Sequence, residues 1–229
     1  MGIKERHERD REAVRRAILD AAKDLFVTEG YHNVSIRKVA ERIEYSPAAI
    51  YSYFASKDDI FFALAEEGFR LLGDPGTTDA AEQAGRLEPL ERLRAIFWRF
   101  YEFSRQHPQY FALMFVDRSV PRIGREYERF AFAREIKANC LAHIQQCING
   151  GLLPQAVSPQ VVMRLMTSGL LGIAVLRLSE RLGGTEDADL LAEDALNLML
   201  AGLRSGAIVK STGSFECGAA EQEEDLQAS

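Results

Sequence analysis

Along most of this chain the apolar residues recur three and four positions apart, and no stretch alternates apolar with polar in the manner of a strand. That periodicity restricts the fold to packed helices. Val14, Ile18, Ala21, Leu25 and Phe26 make one stripe, stopped at Gly30, a natural left-handed cap. Ser35 predicts the cap of a short helix that turns Ile36, Val39 and Ala40 inward. Ser46-Pro47 predicts another start, a side-chain acceptor followed by a residue that needs no N–H. Ser56 with Asp59 predicts a capping box and a helix to about Leu72. Pro89 opens a helix carrying Leu90, Leu93, Phe97 and Phe100, broken at His107-Pro108, and a short aromatic helix follows to about Phe115. Three more helices are expected at about 123–149, 159–182 and 187–204. The Gly- and Asp-rich residues 73–87 read as a loop, and the acidic residues after 205 as a mobile tail.

The chain has 229 residues, 47% apolar and 27% charged, ordinary values for a soluble globular protein. No apolar run approaches the ~20 residues that span a bilayer, and the charged N-terminus has no secretory pattern. Three cysteines without an export signal point to reduced thiols and a cytoplasmic protein with no membrane partner. The net charge is −6, but it is unevenly spread. Residues 1–57 hold 11 Lys/Arg against nine Asp/Glu, whereas residues 58–229 hold 17 against 25. A slightly basic head on an acidic body suits DNA binding through the head alone.

Residues 34–57 have the residue types and spacing to read that DNA: two short helices joined by a tight turn. The second offers Ser46, Ala48, Ala49, Ser52, Tyr51 and Tyr53 outward, while Ile50 and Phe54 face inward. Small and hydroxyl side chains suit a helix that enters a major groove. Ser35, Arg37, Tyr53 and Lys57 are of the types that clamp phosphates. The residues before the first stripe, Lys4, Arg6, Arg9 and Arg11, read as a basic arm able to reach phosphates or the minor groove.

The order of these signals resembles the N-terminal domain of the TetR family of transcriptional regulators. They are Ile18, Ala21-Ala22, Leu25-Phe26 and Gly30, then Ser35 through Ala40, then Tyr45 through Phe54, then Ser56-Lys57. The resemblance covers about residues 12–64. It implies that Ser35 and Lys57 contact phosphates, that Tyr51 and Tyr53 touch backbone or base edges, and that Pro47, Ala48, Ala49 and Ser52 set the sequence read. It also implies a homodimer, a double-stranded DNA operator, and a body pocket for a small apolar or amphipathic effector. Glu44 departs from the pattern, since the family often has Gly in this turn.

The expected fold class is therefore all-α. A three-helix helix-turn-helix head with its basic arm occupies 1–57, a helical-bundle ligand-binding and dimerisation body 58–205, and an acidic tail 206–229. Aromatic residues crowd 97–132, and Phe97, Tyr101, Tyr110, Met114 and Tyr127 are the candidate pocket lining. The helix at 159–182 carries no charge from Leu165 to Leu176 and includes Gly169 and Gly172. Paired with 187–204, it predicts a four-helix interface between two chains.

Cys140, His143 and Cys147 share a helix face, but seven residues rise ~10.5 Å, too far for two thiolates on one ion. No metal or cofactor is expected. The chain has no serine elbow, phosphate-cradling loop or His-Glu-x-x-His pattern, and no nucleophile, base and acid can be assembled, so an enzyme is not expected. The reading is a ligand-responsive DNA-binding regulator, most simply a repressor. The alternative is a helical small-molecule carrier or scaffold that does not bind DNA.

Overall fold

Serine, proline and glycine punctuation sets where the helices begin and end. A computed structural model describes residues 2–73, 87–121 and 131–206, and among these the regular structure is helical throughout. Helix α1 spans Ile3–Glu29 and stops at Gly30, whose φ is +80°. After a 3-10 turn at Tyr31–Asn33 come α2 (Ile36–Arg42), α3 (Pro47–Tyr51) and α4 (Lys57–Gly73). Three serines start them. Ser35 Oγ accepts the Lys38 N–H at 3.2 Å, Ser46 Oγ the Ala49 N–H at 3.1 Å, and Ser56 Oγ the Asp59 N–H at 3.1 Å. The Ser56 hydroxyl also donates to the Asp59 carboxylate at 2.8 Å. Each such cap stabilises by about 1 kcal/mol.

The body consists of α5 (Pro89–Gln106), α6 (Pro108–Phe111, widening into one π turn at Ala112–Val116), α7 (Ala131–Asn149), α8 (Pro159–Leu178) and α9 (Ala188–Arg204). The Asp187 carboxylate caps α9 by accepting the N–H groups of Asp189 and Leu190. Helix α5 lies at the centre and packs on α4, α6, α7, α8 and α9. Its Leu93, Phe97, Phe100, Tyr101 and Phe103 meet Phe111, Ile144, Met166, Leu170 and Leu196 in the core. Burying a side chain such as Phe97 is worth about 2–3 kcal/mol. Helix α4 serves both halves, since Ile60 and Phe61 pack under the head while Gly68 meets Tyr110 and Met114. One continuous core cluster therefore runs across the proposed boundary at 57/58.

Several expectations change. The first helix starts at Ile3, so Lys4, Arg6, Arg9 and Arg11 stand on α1 and do not form an arm ahead of it. No apolar stripe marks those turns, but Arg, Glu and Ala favour helix intrinsically, and Glu5 reaches back to accept the Gly2 N–H at 2.9 Å. Helix α8 stops at Leu178, short of Gly183, because Glu180 turns left-handed at φ +52°. Helix α8 is also long and apolar enough, by length and composition, to cross a membrane, with a mean hydropathy of 1.7. Its Val162, Met166, Leu170 and Ala174 nevertheless pack into the bundle. Residues 74–86 of the loop expected at 73–87, the first part of the 123–149 helix, Tyr127 and the tail beyond 206 lie outside the described residues.

Candidate nucleic-acid interface

The head presents α3 at its surface over a fixed base. Ile50 is fully buried and Phe54 nearly so, among Ile18, Ala22, Val39 and Ala40. That anchoring rotates Ser46, Pro47, Ala48 and Tyr51 outward, all exposed, with Tyr51 at 55%. Ala49 and Tyr53 are half-buried. The helix is shorter than its sequence suggests, so Ser52 is its C-cap and Tyr53 lies in the turn beyond. The Ser52 hydroxyl donates to the Ala49 carbonyl at 2.7 Å and is turned back on its own helix. Ser35 and Arg37 are exposed beside this surface, and Arg37 pairs with Glu41 at 2.8 Å.

Lys57 has partners within the head. Its Nζ donates to the Tyr31 carbonyl at 2.8 Å and the Val34 carbonyl at 3.0 Å, and sits 4.1 Å from the Tyr31 ring centre. Desolvation holds its pKa below the usual lysine value, with partial compensation from Asp58. The ammonium thus ties the start of α4 to the loop leading into α2. Tyr31, buried behind it, gives its hydroxyl to Asp58, and burial with that carboxylate raises its pKa. Nothing local in the sequence signals this strut, because it joins residues more than twenty positions apart.

The turn between α2 and α3 also has a defined shape. Glu44 has φ +59°, the Glu44 N–H donates to the Glu41 carbonyl, and the Tyr45 N–H donates to the Ala40 carbonyl at 2.9 Å. That pair of bonds is the Schellman closure, which glycine favours at its left-handed position. Glu44 carries the steric strain of its Cβ there and is exposed on the same surface as α3.

Residues 18–64 match the family described as "Bacterial regulatory proteins, tetR family", and residues 93–199 match "Tetracyclin repressor-like, C-terminal domain". The chain belongs to the TetR family of transcriptional regulators. An HTH-type transcriptional repressor of Mycobacterium tuberculosis is 44% identical over 55 residues, 24% of this chain and 29% of that one. The fatty acid metabolism regulator protein of Bacillus subtilis is 32% identical over 73 residues, 32% of this chain and 38% of that one. The chain thus spans well under half the length of these curated relatives. In solved structures, the fatty acid degradation regulator FadR of Bacillus halodurans shares the fold with a TM-score of 0.64 at 17% identity, over 83% of this chain and 96% of that one. The TetR family regulator PfmR of Thermus thermophilus gives 0.62 at 23% identity, over 81% of this chain and 98% of that one.

In this TetR-family chain the head meets the body through charged and aromatic groups. Arg16 of α1 bonds Glu67 of α4 and Asp20 of α1, both at 2.5 Å. Arg16 holds the Asp20 carboxyl below the usual range. Lys23 Nζ lies 4.9 Å from the centre of the Tyr110 ring, and Gln109 donates to Asp24 at 3.2 Å. The Tyr110 hydroxyl is buried close enough to Glu67 and Arg16 for each to shift it, yet is aligned with neither. Burial chiefly, with Glu67, pushes its pKa up to about 12.

Tyr110 and Met114 meet at Gly68 of α4, whereas the Tyr101 hydroxyl donates to Asp189 of α9 at 2.8 Å. Phe97, Tyr101, Tyr110 and Met114 are all buried. Asp189 also pairs with Arg105 at 3.0 Å, and Arg177 donates to the Ser104 carbonyl at 2.6 Å, so α5, α8 and α9 are pinned by a polar cluster. Cys140 and Cys147 are buried, and burial pushes the Cys140 thiol up to about 12. His143 Nδ1 lies 3.3 Å from Gln146 Oε1.

Proposed function

We propose that this regulator is a homodimeric repressor that leaves a pseudo-palindromic operator when its body takes up a small apolar or amphipathic effector. The observation that carries the DNA reading is α3, a capped helix whose buried Ile50 and Phe54 leave Ser46, Pro47, Ala48 and Tyr51 facing outward. Pro47, Ala48, Ala49 and Tyr51 would meet base edges and thymine methyls. Ser35, Arg37, Ser52 and Tyr53 would meet backbone, and Lys57 would act chiefly by fixing the loop before α2. Two such helices in successive major grooves stand about 34 Å apart, which a dimer must supply.

Helices α8 and α9 leave Leu165, Leu176, Leu190, Leu191 and Leu198 exposed, an apolar face that a second copy would cover. The names of two relatives refer to fatty acid metabolism and degradation, which supports an effector with an acyl-like apolar part. The aromatic body around Phe97, Tyr101, Tyr110 and Met114 has the side chains for such a ligand. Its uptake would act on α4 through Gly68 and the Arg16–Glu67 pair, and its effect is bounded by its differential affinity for the two states. The protein would work in the cytoplasm, beside the chromosome.

The test is selection of bound duplexes from a random-sequence library, followed by titration with Tyr51→Ala. A regulator recovers an inverted repeat and loses it in the variant while keeping its melting temperature. A carrier or scaffold recovers no shared sequence, and that outcome overturns the reading.

A further inference from the structure

Helix α8 turns one charge inward. Val162, Met166, Leu170 and Ala174 are buried against the bundle. At about 100° per residue, Arg177 falls within about 20° of Leu170 around the helix axis. The guanidinium thus stands in the register of the core stripe, one turn beyond Ala174. The helix's other charged residue, Arg164, is exposed.

The groups that hold Arg177 are neutral. Its Nη2 donates to the Ser104 carbonyl at 2.6 Å and to the Ser104 hydroxyl oxygen at 3.2 Å, and Ser104 is fully buried. Its Nε is buried and has no hydrogen-bond partner. Among the described residues no carboxylate pairs with it. Asp189 is already held by the Tyr101 hydroxyl at 2.8 Å and by Arg105 at 3.0 Å. Both arginines oppose the rise that burial and Asp189 impose on the Tyr101 pKa, so two cations and one carboxylate act on a single phenol. One positive charge is left over.

Burying a guanidinium against neutral groups is unfavourable, because they recover only part of its lost hydration. A carboxylate matches it in shape and supplies the one missing charge. A phosphate ester carries closer to two charges and would confront Asp189. Behind Arg177 the packing of α5 on α8 is apolar: Phe97, Met166 and Leu170 belong to one core cluster. Leu170 stands about 10 Å along the helix from Arg177. On the other side, the Arg105 and Asp189 side chains are 45% and 40% exposed. A half-buried cation between solvent and an apolar column has the polarity that an amphipathic acid requires.

We propose that Arg177 anchors the head group of the effector, and that this effector is an apolar chain ending in a carboxylate. The proposal rests on the reading of the body as an effector-binding bundle, and adds the chemical class and the anchoring residue. Arg177 Nε donates to a carboxylate oxygen, the chain lies along Leu170, Met166 and Phe97, and Asp189 disfavours heads of higher charge.

The chain's single tryptophan, Trp98, lies 5.3 Å from the Tyr101 ring and reports on this site. The full chain is titrated with decanoate, methyl decanoate and decyl phosphate, following Trp98 fluorescence and the melting temperature. The variants are Arg177→Met and, as a loss of charge from the same helix, Arg164→Gln. Methionine keeps an extended side chain without the charge, a replacement that buried ionic sites commonly tolerate. Decanoate should bind the wild type and Arg164→Gln alike, and Arg177→Met about 10–100-fold more weakly, the worth of one charge-assisted hydrogen bond. The methyl ester should bind all three alike, which shows that the loss belongs to the head group and not to the fold. Should Arg177→Met unfold, the wild type decides alone, since decanoate must bind more tightly than its own ester. Decanoate affinity indifferent to residue 177, or an ester bound as tightly as the acid, overturns this proposal and leaves the effector reading standing. Decyl phosphate bound more tightly than decanoate overturns the carboxylate class. If neither acid nor ester binds, the proposal falls together with the acyl-like effector, while the operator reading keeps its own test.

Discussion

Glu44 and Glu180 share one backbone problem, with φ values of +59° and +52° at the closing turns of α2 and α8. In both turns paired N–H bonds return to the last carbonyls of the helix, at Ala40 and Glu41 in one and at Leu176 and Arg177 in the other. Glycine at either position should raise stability by about 0.5–1 kcal/mol, read from denaturant midpoints. Only Glu44→Gly should also tighten operator binding, because only Glu44 places a carboxylate beside α3. Glu44→Gln separates the two effects, tightening binding while leaving the strain in place. Equal operator affinity for Glu44→Gln and the wild type would show that this carboxylate does not feel the DNA. Lys57 belongs to the same scale. Replacing it with Ala uncovers the Tyr31 and Val34 carbonyls, at an expected cost of about 1–3 kcal/mol in the melting free energy. The resemblance implied a phosphate contact for Lys57, and the structure adds a second role within the head. A lysine's sequence context does not reveal which carbonyls the fold brings within 3.0 Å of its Nζ.

Helix starts were legible because caps are local chemistry. Ser35, Ser46 and Ser56 each satisfy an N–H three residues on, and each stands at the helix start its pattern predicts. The first three turns of α1 were not legible, because an exposed charged helix has no apolar stripe and looks like an arm. The stop of α8 was missed for a related reason, since Glu180 takes the left-handed conformation that glycine usually signals. Packing between elements was least legible. Gly68 carries no sequence signal, yet a Cβ there would overlap Met114 Sδ and press on Tyr110, so a larger residue would force the Met114 side chain to shift. Gly68→Ala should therefore cost about 1–3 kcal/mol by overpacking, and Met114→Ala about 2–5 kcal/mol by leaving a cavity. The double variant should cost less than their sum by at least about 0.5 kcal/mol, measured as a denaturation cycle. Additive losses would mean that the two helices do not press on one another here.

For the molecule as a whole, the buried weak acids set its response to alkali. Burial raises the pKa of Tyr31, Tyr101, Tyr110, Cys140 and Cys147 above their ordinary values. A group with a raised folded pKa contributes stability that is full below its unfolded pKa and is lost as pH climbs toward the folded value. With unfolded values near 8.5 for Cys and 10 for Tyr, stability should hold to about pH 8 and then fall, by up to about 1.4 kcal/mol per pH unit for each group engaged. Melting temperatures from pH 7 to 11 check this, and a flat profile would contradict the burial of these side chains. The proposed dimer is the other property at this scale. The sequence suggests it through an uncharged helix that one chain does not readily cover, and exposed leucines on α9 support that reading. Leu198 is 73% exposed and Leu190 61%, while Leu196 and Leu200 on the same helix are buried in the monomer core. Leu198→Asp should therefore spare the monomer and oppose association, since each copy would bring a carboxylate into a shared apolar seam. Sedimentation should show a folded species of half the wild-type mass. Operator affinity should fall by at least about tenfold, because two half-sites would no longer be bound by one linked particle. A Leu198→Asp protein that sediments as the wild type would place the dimer interface elsewhere and leave this leucine face unexplained.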